Sequence, residues 1–339
     1  MIELLKKYTA INAPSGSEEN LRKVIIEDIK DFVDELKVDN LGNIIAFKKG
    51  KNRAKNKVML DAHLDEVGFM ICGIDENGDL RFSNLGGIDA KVIFGKRVKI
   101  GDIYGVIGGS AVHLLKGDEK TAVKSVDELR IDIGAKSKES AQKLVKIGDT
   151  AVFDTEFSDF GEKVCAKALD DRVGCAVLTK IIQSETDYDL WFSFSVQEEI
   201  GCRGATVTAY NIAPDCAITV EATTAADIFG VDDDKKVCLL GKGVALSMMD
   251  NGTLYNKDLV NNVIDLAEQN GILAQKKTAV AGGTNASAIH KSRNGVKTLN
   301  LALPCRYIHS PYGVAAKADV ENLYKLTALC ANSFAEDKI

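Results

Sequence analysis

Several features of other protein classes are missing from this chain of 339 residues, which has only 4 histidines and 1 tryptophan. No apolar run reaches the roughly eighteen residues that a membrane-spanning helix requires. Residues 1–20 contain no apolar signal core. The formal net charge of −6 argues against a nucleic-acid-binding surface. We therefore expect a cytoplasmic protein with no membrane and no nucleic-acid partner.

The 8 cysteines are scattered, with no CxxC pair and no regular spacing. In a cytosolic chain this pattern is typical of small buried hydrophobic residues, not of disulfides or a zinc ribbon. The hydrophobic content of 45% is sufficient for a sizeable core. The length suits one large domain with an insertion, or two domains.

Strands and helices alternate in two separate parts of the chain, which predicts an α/β layered sheet. The N-terminal part contains a hairpin turning at 40–42, and Ser15 with Glu18 predicts a capping box before a helix. Between them lies a glycine-rich stretch of short β segments, typical of a small barrel or sandwich. We predict a discontinuous α/β domain, 1–65 and 157–339, and an inserted β domain, 66–156.

His63 comes just after the apolar strand segment 58–62, and Asp65 follows it by two residues. Positions i and i+2 of an extended chain share a face, so Asp65 is placed to fix the orientation of the imidazole or of a metal on it. The plainer interpretation is a surface histidine near a turn.

Two pairs of adjacent acids precede or follow predicted elements. Asp170 and Asp171 stand before a helix, where one of them alone would explain N-capping. Glu198 and Glu199 end an apolar strand, and both reach one site only if the strand breaks, which Gly201 favours. Burial of such a pair requires a cation. The alternative is a solvated loop.

The remaining candidates are single residues near strand ends. Glu221 follows the apolar segment 216–220, and His309 follows a strand ending near 303. A solvated carboxylate and a structural histidine are the alternatives. His113 is expected on the surface of the β domain, and His290 in a loop or helix beside the site.

These residues are convincing as a group because all of them fall at predicted carboxyl ends of strands of the α/β part, where open sheets bind ligands. Imidazole nitrogens and carboxylate oxygens suit zinc or cobalt, and also manganese. There are more acids than one tetrahedral ion requires, which favours two ions sharing a carboxylate and activating water. The sequence therefore predicts a metal-dependent hydrolase.

Five segments together resemble one known family. They are AHLDEVGFM around His63, KALDDRVG around Asp170, VQEEIGCRGA around Glu198, GGTNASAIH at 282–290 and RYIHSP around His309. Their order and the β insertion resemble the M42 family of metallo-aminopeptidases. That family includes glutamyl aminopeptidases and tetrahedral twelve-subunit peptidases, and some members are labelled endoglucanases. The resemblance implies a mixed, zinc-peptidase-like central sheet flanked by helices.

The resemblance also implies a role for each candidate. Asp170 would bridge two divalent ions, His63 and Glu221 would complete one site, Glu199 and His309 would complete the other, Glu198 would be the general base, and Asp65 would support His63. Gly282, Gly283 and Thr284 would lie at the substrate end. The insertion would be a PDZ-like dimerisation domain, and dimers would form a hollow tetrahedral dodecamer that admits short peptides.

Two positions depart from the family pattern. Glu221 stands where relatives usually have Asp, and Asn285 stands where they usually read GGTDA. The first change could shift a metal, and the second removes a charge expected near the substrate.

Three other functions are compatible with parts of this pattern. A glycoside hydrolase needs two separated carboxylates and no histidine ligands, and one tryptophan offers little sugar-binding surface. A two-metal deacylase acting on small N-acyl compounds would use the same local chemistry. A non-catalytic assembly protein could retain the fold, although here every candidate ligand is in place.

Overall fold

The computed structural model describes residues 1–114, 117 and 124–339. Its helices, numbered along the chain, are α1 (Ile2–Thr9), α2 (Glu19–Ile29), α3 (Ala90–Ile93), α4 (Lys138–Gln142), α5 (Leu169–Ile182), α6 (Arg203–Ile212), α7 (Lys257–Gln269), α8 (Ala286–Ile289) and α9 (Lys317–Ala335). Its strands are β1 (Glu35–Val38), β2 (Ile44–Lys48), β3 (Val58–His63), β4 (Gly68–Ile74), β5 (Leu80–Leu85), β6 (Arg97–Ile100), β7 (Ile103–Gly108), β8 (Arg130–Asp132), β9 (Thr150–Phe153), β10 (Ser158–Phe160), β11 (Lys163–Ala166), β12 (Leu190–Ser195), β13 (Cys216–Thr224), β14 (Val244–Leu246), β15 (Ala274–Lys276), β16 (Lys297–Cys305) and β17 (Gly313–Ala316).

The largest sheet has the strand order β1-β2-β12-β3-β13-β16-β14-β15. Its central strands β12, β3, β13 and β16 are parallel, whereas β2 and β14 run antiparallel to their neighbours β12 and β16. Every residue of β3 is buried, as expected for a central strand covered on both faces. The prediction of a mixed α/β sheet is therefore confirmed.

Helices cover both faces of this sheet because successive side chains of each strand point to opposite sides. Val58 and Leu60 of β3 belong to the main core, which also contains buried residues of α1, α2, α5, α7 and α9. Met59, between them, packs in a second core with residues of α6 and α8. The carboxyl end of β3 is thus held from both faces.

The glycine-rich stretch forms a closed barrel with the strand order β4-β5-β8-β7-β6-β9. It has its own hydrophobic core, in which Phe69 makes edge-to-face contacts with Phe82 and Phe153 at centroid distances of 5.2 and 5.3 Å. The predicted small β-barrel is confirmed. Its strands lie within 66–156, and the division of the chain into domains at those residues stays a prediction.

A third, smaller sheet has the order β10-β11-β17. It leads directly into α5, whose first turn has non-helical backbone angles at Asp170 and Asp171. The helix then passes very close to β13: a Cβ at Gly174 would lie 2.2 Å from the carbonyl oxygen of Val220. Glycine at 174 therefore allows α5 to bring its first turn up to the central sheet.

Two other expectations concern the chain as a whole. All 8 cysteines lie in the described part of the chain and are free, and most are buried. Within the described residues, none of the helices combines the length and the apolar character that crossing a membrane would require.

Candidate metal centre

His63 is the last residue of β3, and its side chain is completely buried. Its Nδ1 atom lies 3.0 Å from the backbone oxygen of Asp65 and 3.4 Å from that residue's Oδ1. Its Nε2 atom faces the opposite way, 3.2 Å from Asp170 Oδ1. The ring is therefore held from behind and presents one nitrogen to Asp170, and it is not a surface histidine.

Asp170 lies between two imidazoles. Its Oδ1 faces His63 Nε2 at 3.2 Å, and its Oδ2 faces His309 Nε2 at 3.3 Å. The structure corrects one detail, because Asp170 follows β11 of the small sheet and not a strand of the central sheet. Its neighbour Asp171 accepts hydrogen bonds from the N–H groups of Gly174 and His63, which is the capping role that the sequence offered as an alternative.

The strand carrying Glu198 and Glu199 does break before the pair. β12 ends at Ser195, and Gln197 and Gly201 have φ values of 56° and 119°. Both carboxylates consequently turn to the same side: Glu198 Oε2 is 4.0 Å from His63 Nε2, and Glu199 Oε2 is 3.4 Å from His309 Nε2. The sequence assigned the break to Gly201, and Gln197 contributes to it as well.

Asp65 holds this break in place. It is fully buried, its Oδ1 accepts the N–H of Glu198 at 2.9 Å, and its Oδ2 accepts the N–H of Glu199 at 3.1 Å. Ser15 Oγ donates to the same Oδ2 at 2.6 Å. The predicted capping box is wrong, since Ser15 serves Asp65 and α2 has no side-chain cap. One carboxylate thus orients the imidazole of His63 and the two glutamates.

Glu221 reaches the site from within β13, which continues beyond it to Thr224. Its side chain is buried, and Oε1 accepts the backbone N–H of Asn285 at 3.0 Å. Asn285 itself is completely buried. Its side chain therefore points into the protein and is not exposed to solvent.

His309 is oriented by the barrel. Its Nδ1 lies 2.9 Å from the backbone oxygen of Gly87, in the segment after β5. A side chain at the preceding Gly86 would collide, because a Cβ there would lie 2.8 Å from Val67 and 3.2 Å from Glu199. The contact of Gly87 with His309 spans 222 residues, so no local sequence pattern could have indicated it.

Two sets of side chains could each hold a metal ion: His63 with Asp170 and Glu221, and Asp170 with Glu199 and His309. Within each set the ligand atoms all lie within 4.8 Å of one another. Asp170 belongs to both, and in the described part of the chain neither set includes Glu198. The two sets therefore adjoin and share the carboxylate of Asp170, and Glu198 lies beside them without belonging to either.

Burial determines the electrostatics of the centre. It raises the pKa of Glu199 and of Glu221 well above the ordinary glutamate value, and it raises the pKa of Glu198 to about 7. Burial also lowers the pKa of His63, but hydrogen bonds to Asp170 and Asp65 outweigh it and the net shift is upward. These shifts show a buried excess of negative charge for which the chain supplies too little positive charge.

The residues present fit a divalent cation. The donors are imidazole nitrogens and carboxylate oxygens, the set that zinc, cobalt and manganese prefer. Glu199 Oε1 is buried and has no hydrogen-bond partner among the described residues, as expected of an oxygen atom that binds a metal ion. Burial of Glu199 and Glu221 contradicts the alternatives of a solvated loop and a solvated strand-end acid.

The segment 282–284 borders the site through Asn285. Gly282 has φ 71°, and its carbonyl oxygen accepts the N–H of Asn251. Thr284 is buried, with Oγ1 3.5 Å from Asp250 Oδ2. The two other histidines belong to neither ligand set: His113 is exposed, and His290 directly follows α8, with its Nδ1 2.7 Å from the backbone oxygen of Ala286.

The fold and the site define a class: an α/β protein in which histidines and carboxylates that could hold a metal ion come together beside the central sheet. The family model described as M42 glutamyl aminopeptidase matches residues 42–326, so the chain belongs to the M42 peptidase family. It is therefore a hydrolase that acts on peptide bonds.

Individual relatives agree with this assignment. The lysyl aminopeptidase of Pyrococcus furiosus is 33% identical over 335 residues, which cover 96% of this chain and 94% of that protein. The TET aminopeptidase of a marine-sediment Thaumarchaeota archaeon matches the structure with a TM-score of 0.92 and 34% identity over 97% of this chain and 95% of that one. The TET1 peptidase of Pyrococcus horikoshii, which can assemble into a tetrahedron or a large octahedral shell, matches with a TM-score of 0.84 and 38% identity over 97% and 98% of the two chains.

Proposed function

We propose that this protein is a two-metal aminopeptidase that removes N-terminal residues from short peptides. The observation that carries the proposal is the position of Asp170, whose two carboxylate oxygens face two different imidazoles at 3.2 and 3.3 Å. A carboxylate so placed can bridge two ions. We infer zinc or cobalt, with manganese as a third candidate, because the donors are mixed nitrogen and oxygen.

Each residue has a stated task in this proposal. Asp170 bridges, His63 and Glu221 complete one site, and Glu199 and His309 complete the other. Asp65 fixes the imidazole of His63, as its contacts with Nδ1 support. When bound, the ions would polarise the scissile carbonyl and lower the pKa of water.

Glu198 is the general base of the proposed reaction. It lies beside His63 but outside both ligand sets of the described residues, so its carboxylate is left to exchange protons. It accepts a proton from the attacking water and donates it to the departing amine of the peptide. Burial favours this task, since a raised pKa brings proton uptake and release near neutral pH.

Gly282, Gly283 and Thr284 form the proposed substrate edge. The two glycines are exposed, and a Cβ at either would meet nothing within 4 Å. The peptide backbone could therefore approach closely there.

A self-associating assembly is also proposed, with the barrel as its dimerisation surface. Its exposed apolar side chains Tyr104 and Ile147, 56% and 70% accessible, support that placement.

One experiment tests the function. Purified protein is assayed for bound metal and screened against aminoacyl-nitroanilides, with and without a chelator, beside the same compounds acetylated on the amino group. We expect two ions per chain, hydrolysis that stops on chelation and returns with metal, and no hydrolysis of the acetylated compounds. Activity that survives acetylation would instead identify a deacylase or another amidohydrolase. Light scattering on the same sample measures the assembly.

A further inference from the structure

Asp61 is a buried acid close to the metal centre that belongs to neither ligand set. It lies on β3, two residues before His63, and is completely buried. A carboxylate in the middle of a central strand is costly unless it is hydrogen-bonded. Its Oδ2 accepts the side-chain N–H of Asn285 at 2.8 Å and lies 3.4 Å from Ser195 Oγ.

Asn285 connects this acid to a proposed ligand. Its side-chain nitrogen donates to Asp61 and, at 2.8 Å, to Ser195 Oγ on β12. Its backbone N–H donates to Glu221 Oε1 at 3.0 Å. The side chain of Asn285 is thus fixed to the two central strands β3 and β12, and its main chain holds the carboxylate of Glu221 on a third.

The identity of residue 285 follows from the same contacts. An aspartate there would place two buried carboxylates 2.8 Å apart, at the present separation of Asp61 Oδ2 and Asn285 Nδ2. Two carboxyl groups at that distance cannot both be ionised, because their negative charges repel each other. The amide of Asn285 avoids the repulsion and supplies the donor that Asp61 needs.

Glu221 requires such support more than a shorter ligand would. A glutamate has one more rotatable bond than an aspartate, and an unsupported carboxylate loses affinity for a metal because its oxygens sample several positions. We propose that Asp61 is a positioning residue for Glu221, acting through Asn285. This inference rests on the proposed two-ion centre and concerns the ion held by His63, Asp170 and Glu221.

The second ion has different supports. Glu199 is held through its backbone by Asp65, and His309 by the oxygen of Gly87. Neither contact involves Asp61 or Asn285. Loss of Asp61 should therefore weaken one ion and spare the other, which a general loss of packing would not do.

The test measures metal affinity and not activity. Metal-free full-length protein is titrated with Co²⁺, followed by its visible absorption, and with Zn²⁺ against a competing chelator. The variants are Asp61→Ala, Asn285→Asp and the exchange Asp61→Asn with Asn285→Asp. The matched control is Thr219→Val. Thr219 is the neighbour of Asp61 in the register of β13 and β3, and the variant removes a buried hydroxyl that donates to Asn300 and not to Asp61.

We expect wild type to bind two ions. Asp61→Ala and Asn285→Asp should each weaken one of them by roughly 10–100-fold, the usual cost of losing a partner that orients a ligand. The exchanged pair should recover most of that loss, because donor and acceptor merely trade places. Thr219→Val should bind both ions as wild type does.

Two results would overturn the inference: wild-type affinity for both ions in Asp61→Ala, or an exchanged pair that binds no better than Asn285→Asp alone. If Asp61→Ala does not fold, the second comparison decides by itself. A wild-type protein that binds no ion would refute the proposed function, and this inference with it. Two ions in wild type with an unaffected Asp61→Ala variant would refute only the inference.

Discussion

Two groups of buried charges lie next to each other in this molecule, and they differ in how they are neutralised. In one, Glu66 accepts hydrogen bonds from Lys167 at 2.7 Å and from Arg172 at 3.0 Å, and the three side chains are at most 4% exposed. In the other, the candidate metal centre, the carboxylates outnumber the two imidazoles. The first group has two cations for its one acid, whereas the second has fewer imidazoles than acids.

The difference distinguishes a structural charge cluster from a binding site. Both groups contain acids that are separated widely in sequence and brought together by the fold. In the candidate metal centre, burial raises the pKa of Glu199 and of Glu221 well above the ordinary glutamate value, because cations of the chain do not offset it. A deficit of positive charge, and not the presence of acids, is therefore the physical signature of the site.

The largest expected effect concerns Glu198, the acid that the described ligand sets leave out. Glu198→Gln removes the proposed proton acceptor and keeps the size of the side chain. We expect kcat to fall by roughly 10²–10⁴-fold, the usual contribution of general base catalysis. Metal content per chain, measured by elemental analysis, should stay at the wild-type value. Retained turnover would remove the assignment of the base.

The next prediction concerns the balanced group, in which the acid Glu66 is neutralised by Lys167 and Arg172. Glu66→Gln leaves Lys167 and Arg172 buried without their counter-charge, and such a loss costs about 3–5 kcal/mol of stability. Chemical unfolding of metal-saturated protein measures it. Glu76→Gln is the matched control, because Glu76 pairs with Lys138 on the surface and is 84% exposed. Similar unfolding midpoints for the two variants would contradict the distinction drawn between the groups.

Local patterns in the sequence predicted much of this architecture. The apolar segment ending at His63 and the one before Glu221 indicated buried strands, and the glycine-rich stretch indicated the barrel. Contacts between distant segments could not be predicted in this way. Ser15 with Glu18 has the spacing of a capping box, yet Ser15 bonds to Asp65, which is 50 residues away.

Electrostatic partners were equally hidden. Glu66 follows the motif residue Asp65, and nothing local distinguishes its role as the acceptor for Lys167 from that of a ligand. Asp61 reads in the sequence as an isolated polar residue of a strand. Only the fold shows that it faces Asn285. The sequence shows that residue 285 is an asparagine where relatives usually have an aspartate, but it does not explain why.

A third prediction concerns an acid whose replacement should stabilise the metal-free protein, whereas the replacement of Glu66 destabilises it. In metal-free protein, Glu199→Gln relieves repulsion among the acids of the candidate metal centre, so the melting temperature should rise by roughly 1–2 °C, equivalent to about 1 kcal/mol for a chain of this length. With metal in excess the same variant should melt below wild type, because a ligand is lost. Thermal scans in chelator and in metal provide both values. Glu66→Gln, by contrast, should melt below wild type in both conditions. If Glu199→Gln also melted below wild type in both conditions, Glu199 would be a structural acid like Glu66, and the distinction between the two groups would fail.

The smallest effect is a pH dependence that distinguishes metal-free from metal-loaded protein. Burial raises the pKa of Glu198 from 4.5 to about 7, so the folded state binds this proton more tightly than the unfolded chain does. Its stabilising contribution is complete below about pH 4.5 and is lost as the pH rises through about 7. For His309, burial lowers the pKa, but the charges of Glu199 and Asp170 outweigh burial and the net pKa is about 10. The contribution of His309 to the stability of the folded state is therefore complete below about pH 6.5 and is lost as the pH rises toward 10.

A metal ion would take the place of the proton on His309, and its charge would favour the ionised form of the neighbouring Glu198. Metal ions therefore bind more tightly as these groups lose protons. The difference in melting temperature between loaded and metal-free protein should consequently widen as the pH rises from about 5 to about 7.5. Differential scanning fluorimetry with metal or chelator at each pH measures it. Glu198→Gln should flatten the metal-free curve, because the side chain that takes up the proton is gone. A difference that stays constant with pH would mean that protons do not compensate the acids of the centre, and the contrast with the balanced group around Glu66 would then need another cause.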